Sequence, residues 1–61
     1  MDPYLVELAQ RVDDLADPRE VEQAMDKLEF LYEALDPDQQ EAAAALLERL
    51  TRRLELLRSP R

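Results

Sequence analysis

The sequence predicts an all-α fold: a chain of three helices forming a small helical bundle, as a homodimer. Three observations carry this. Gly is absent, so the residue best suited to left-handed turns and helix ends is missing, and tight hairpins lose their usual turn chemistry. The chain is rich in Leu, Ala, Glu, Gln and Arg, all strong helix formers. The dipeptide Asp-Pro recurs at Asp2-Pro3, Asp17-Pro18 and Asp36-Pro37. Asp caps a helix start, Pro suits its first position, and the residue before Pro is pushed out of helical geometry. Each pair therefore ends what precedes it and begins a helix.

The first helix is expected over about 3–15. Leu5, Leu8, Val12 and Leu15 recur at helical spacing, and Ala9 and Ala16 widen the stripe. At about 20 Å it is the shortest of the three and marginal alone.

The second, over about 18–35, has the clearest start. Asp17 and Glu20 form a capping-box pattern, and Ala16 and Val21 are placed for a hydrophobic staple. Its stripe is Val21, Ala24, Met25, Leu28, Leu31, Tyr32 and Leu35. Phe30, the single Phe of the chain, falls roughly 160° from the middle of that stripe.

The third is expected over about 37–57, with a second capping-box pattern at Asp36 and Gln39. Ala43, Leu46, Leu47, Leu50, Leu54 and Leu57 make its stripe. The run Ala42–Ala45 is thin enough for close approach of a neighbouring helix. Leu56 lies off the stripe, as Phe30 does, and residues 59–61 should fray. Full reversal of a chain takes about two to five residues. Either each helix unwinds before its Asp-Pro pair, or the corners stay open and a second chain supplies the missing surface.

With 61 residues, a chain hides only about 60% of the surface it exposes when unfolded. Domains of this size usually need a staple. Cys and His are absent, which removes disulfides, thiolate metal sites and the commonest metal ligand. Self-association remains, and with it the expectation of a homodimer.

The formal charge is −7, the wrong sign for a nucleic-acid backbone or an anionic membrane surface. No apolar run approaches the length of a membrane span. The start Met1-Asp2-Pro3 is acidic where a signal peptide is basic. These features place the expected protein in the cytoplasm, away from membranes and nucleic acid. Residues 1–41 hold thirteen acids and three bases, a balance of −10, whereas residues 42–61 hold two acids and five bases, a balance of +3. Acids near helix starts and arginines near a helix end suit the macrodipole. Yet Glu22, Asp26, Glu29 and Glu33 fall within about 60° of one another on the second helix, where like charges repel. Either the arginines of the third helix or an external basic partner should compensate them. An antiparallel second and third helix would bring the acidic start of one to the basic end of the other.

Catalysis is poorly served. The hydroxyls are Tyr4, Tyr32, Thr51 and Ser59, with no His to activate them. Lys27, the single Lys, is flanked by Asp26 and Glu29, which favour its charged form. Carboxylate metal sites in helical bundles add a Glu-x-x-His pattern that is missing here. No enzyme activity, cofactor or metal site is expected.

The expected function is therefore a small acidic protein–protein interaction module: an adaptor, regulator or docking element. Its partner surface would centre on Phe30, flanked by Lys27 and Ala34, with Leu56 as a second apolar point. The stripe Glu22, Asp26, Glu29 and Glu33 would favour a basic partner. A second reading is an acidic inhibitor that occupies the nucleic-acid-binding site of another protein. Finally, Leu28-Glu29, Leu35-Asp36-Pro37-Asp38 and Leu50-Thr51-Arg52-Arg53-Leu54 resemble the helical docking segments at the ends of modular polyketide synthase subunits. That resemblance covers about half the chain and implies a dimerising subunit-docking role.

Overall fold

The computed structural model describes residues 2–59. Its elements are α1 (Pro3–Arg11), a single 3-10 turn (Val12–Asp14), α2 (Pro18–Tyr32) and α3 (Pro37–Arg58). The all-α class holds, with one helix beginning at each Asp-Pro pair.

The helix starts follow local chemistry, though not uniformly. The Asp2 carboxylate accepts from the Tyr4 amide at 2.8 Å and the Asp17 carboxylate from the Arg19 amide at 2.9 Å. Glu20 does not reach back in the reciprocal bond of a capping box. Asp36 occupies the cap position of α3 with no side-chain cap bond; only its carbonyl is used, accepting from the Gln40 amide at 2.8 Å. The capping box expected at Asp36 and Gln39 is thus absent. The staple is absent too, because Val21 is buried while Ala16 is exposed. These differences predict unequal effects. Asp17→Ala should lower stability by about 1 kcal/mol, a typical loss for a cap, and Asp36→Ala by much less. Thermal melts followed by circular dichroism measure both, and equal losses would contradict the asymmetry.

The helix ends differ most from the sequence reading. The first helix stops at Arg11 rather than near residue 15, and the second at Tyr32 rather than near residue 35. Reversal needs non-helical residues before each proline, and unwinding provides them. The 3-10 turn still delivers Val12 and Leu15 to the core, where both are buried. After Tyr32 the chain tightens into i to i+3 bonds, Ala34 N–H to Leu31 at 2.9 Å and Leu35 N–H to Tyr32 at 3.2 Å. The third helix runs one residue further than expected, to Arg58. Of the tail expected to fray, Ser59 follows α3 in extended geometry, while residues 60 and 61 lie outside the described residues.

Unwinding lets the chain fold back twice. The Arg58 guanidinium, at the end of α3, pairs with Glu22 in the second turn of α2. At the other end, Gln40 Nε2 in the first turn of α3 donates to the Tyr32 carbonyl at 2.9 Å. So α2 and α3 are antiparallel. Arg49 reaches the Ala9 carbonyl at 3.3 Å and Arg53 the Leu15 carbonyl at 2.8 Å, so α1 and its corner run alongside α3 in the same direction. The topology is up-down-up.

The core draws on every element: Leu5 and Leu8 from α1, Val12 and Leu15 from the corner, Val21, Ala24 and Leu28 from α2, and Ala43, Leu46 and Leu50 from α3. Among the described residues no polar side chain is buried. One chain therefore closes its own core, and the large apolar side chains left outside are Val6, Phe30 and Leu56.

Candidate protein interaction surface

Phe30 sits on α2 where the periodicity put it, facing away from the core, and is 84% exposed. Two turns of helix bring Asp26, Ala34 and Glu33 to the same side, all exposed. Lys27 is exposed as well, but its ammonium does not serve the Phe30 patch. It lies 4.4 Å from the centre of the Tyr4 ring on α1, a cation–π contact that ties α1 to α2. Tyr4 packs against the edge of the core. Burial there pushes its phenol above the ordinary tyrosine pKa; Arg11 opposes the rise and Glu7 adds to it.

The acidic stripe divides. Glu22 is engaged by Arg58, the intramolecular compensation that an antiparallel α2 and α3 allow. Asp26, Glu29 and Glu33 make no ion pair among the described residues, and Asp26 and Glu29 border a shallow groove floored by Met25 and Leu54. The stripe is three free carboxylates rather than four.

Leu56 is 70% exposed, but it does not join Phe30. Each lies two residues from the C-terminus of its helix, and antiparallel helices put those ends at opposite poles. Leu56 borders a different groove, with Asp13, Arg49, Arg52 and Arg53. The cause is its position around the helix: Leu54 and Leu57 in the same turns pack against the core, whereas Leu56 lies off their stripe and faces outward.

Sequence reasoning missed the side chains that satisfy the helix ends. Without Gly, the last carbonyls of a helix lack the usual left-handed cap. Here α3 supplies the donors: Arg49 to Ala9 and Gln40 to Tyr32 at the helix ends, and Arg53 to Leu15 in the connection that follows the 3-10 turn. The glycine-free composition was the available signal, since carbonyls without a backbone cap need side-chain donors. Arg49 also lies 3.9 Å from the Asp13 carboxylate. Much of the positive end of the chain thus holds the corner in place.

Among the described residues no group of three potential ligands is placed to hold a metal ion, and no helix is long and apolar enough to cross a membrane. Comparison with protein-family models, curated proteins and solved structures finds no match.

Proposed function

We propose that this chain is a non-catalytic protein–protein interaction module that self-associates and docks a second protein through the outer face of α2. The observation that carries the reading is Phe30. The core is complete without it, yet the chain keeps its single Phe outside, 84% exposed. Aromatic side chains dominate interface energetics when they enter a pocket. Asp26 and Glu33 on the same side, with Glu29 beside them, suit a partner whose apolar pocket is edged by basic groups. Those charges would act more on encounter rate and selectivity than on affinity. The composition, with neither His nor Cys, supports a binding role over a chemical one, and a Cys-free chain suits the reducing cytoplasm in which we place it.

A charge mimic would draw on all four stripe carboxylates, of which Glu22 is paired with Arg58; the docking reading needs only the other three.

The test is site-specific photocrosslinking in the source cells. A photoreactive phenylalanine analogue at position 30 should capture a defined protein that the same probe at Glu55, exposed on α3, does not. Capture should fall when Asp26, Glu29 and Glu33 are neutralised together. Phe30→Ala should leave the melting temperature within error, because an exposed substitution away from caps and core usually shifts stability by less than about 0.5 kcal/mol. Identical capture at positions 30 and 55, or a marked loss of stability in Phe30→Ala, would show that the face is not a docking site.

A further inference from the structure

A second face stays open on the side of α3 away from α2. The groove between α1 and α3 is lined by Leu5, Val6, Ala9, Ala42, Ala45 and Leu46, with a volume of about 420 Å³. Val6 is 43% exposed there. The charges along the α3 wall of this groove follow a definite order; among them Arg49 also serves the corner, through the Ala9 carbonyl and Asp13, while Asp38, Glu41 and Arg52 have no ion pair among the described residues. Asp38 and Glu41 come first, then Ala42 and Ala45, then Arg49 and Arg52. At about 100° per residue all six fall in a strip roughly 100° wide. The four charged residues are exposed.

That order is its own complement. Let a second copy of α3 lie antiparallel across the strip, with a two-fold axis beside Ala45. Asp38 then faces Arg52 of the second copy, Glu41 faces Arg49, Ala45 faces Ala45, and each relation recurs in reverse. A parallel pairing would set like charge on like. Sliding the antiparallel pairing by one helical turn, so that Glu41 meets Ala45 and Asp38 meets Glu48, loses both pairs and adds a repulsion. Small side chains at the crossing allow the axes to approach near the close end of the usual 8–10 Å range. The apolar walls then cover Val6 in both copies.

We infer that the α1–α3 groove is the seat of a second copy of this chain, forming an isologous dimer with antiparallel α3 helices and a two-fold axis at Ala45. In such a dimer one surface meets itself, and every contact occurs twice. The inference rests on the self-association in the proposed function and is independent of Phe30, which belongs to the opposite face. A contact confined to one helix and its flank belongs to the small end of the interface range. The dimer is weak and concentration-dependent.

The chain lacks Cys, which gives a direct test. Ala45→Cys should form a disulfide-linked dimer under mild oxidation, whereas Ala44→Cys, one position away and outside the strip, should not. In sedimentation equilibrium across micromolar to millimolar concentration, the unmodified chain should pass from monomer to dimer. Arg52→Glu and Asp38→Lys should each weaken the dimer by roughly tenfold, because each reversal acts twice and sets like charges together. Arg52 makes no hydrogen bond or ion pair among the described residues, so its reversal leaves the corner contacts intact. The double variant should recover dimerisation, although both changes oppose the helix dipole. Folding damage would compound in the double variant instead. A chain that stays monomeric throughout would overturn both the inference and self-association. A dimer indifferent to Arg52→Glu, with no preference for crosslinking at position 45, would overturn this interface alone.

Discussion

Leu28→Ala should leave the chain largely unfolded at 25 °C. Leu28 is 0% exposed and belongs to the core cluster that α2 shares with α1 and α3. Removing most of a buried Leu side chain costs about 2–5 kcal/mol through lost transfer energy and the cavity left behind. A single core in a domain below about 70 residues rarely supplies more than 3–5 kcal/mol. The two figures are comparable, so one substitution is enough to empty the native state. Leu31→Ala offers the contrast. Leu31 belongs to the same periodic stripe but is only half-buried, so its loss should be smaller and the variant should remain folded. Urea titration followed by far-ultraviolet circular dichroism separates the two. A cooperative, near-native transition for Leu28→Ala would mean that the core is not centred on this helix.

The contrast between Leu28 and Leu31 also shows what a sequence can reveal of such a chain. Periodicity identifies which side of a helix is buried, because the angle per residue is nearly constant. It therefore located the core residues of α2, the outward Phe30 and the off-stripe Leu56. It does not say how long each neighbouring helix is, and coverage depends on that. Leu31 lies on the stripe yet is only half-buried, one residue before α2 ends at Tyr32. The Asp-Pro pairs fixed where helices start but not where the preceding ones stop. A helix end is set by the length of chain needed to reverse, which is a property of the packed bundle. For the same reason the antiparallel meeting of Glu22 and Arg58 was readable as a condition, whereas the arginine bonds to the Ala9 and Leu15 carbonyls were not. Those bonds end on backbone carbonyls that unwinding at the corner leaves free, and no side-chain pattern marks them. The centre of each stripe is buried within one chain, while Met25, Leu31, Tyr32, Leu35, Leu47, Leu54 and Leu57 at the stripe edges stay half-buried.

Ala43→Leu should be nearly as damaging as Leu28→Ala, although it adds apolar surface rather than removing it. Ala43 is 0% exposed, on the side of α3 that faces the space between α1 and α2. The helices approach closely there because the side chain is one carbon long. Three further carbons have no empty volume to enter, and a core at crystal-like density cannot absorb them without moving a helix. Overpacking of this kind typically costs about 1–3 kcal/mol, again a large part of the stability of so small a domain. Ala44→Leu supplies the control. It changes the same atoms one residue along, on an exposed position, where the expected shift is within about 0.5 kcal/mol. Helix propensity is nearly equal for the two variants, so the difference in their urea midpoints measures packing alone. Equal midpoints would mean that α3 is rotated about its axis relative to the arrangement described, and with it the groove that carries Ala45.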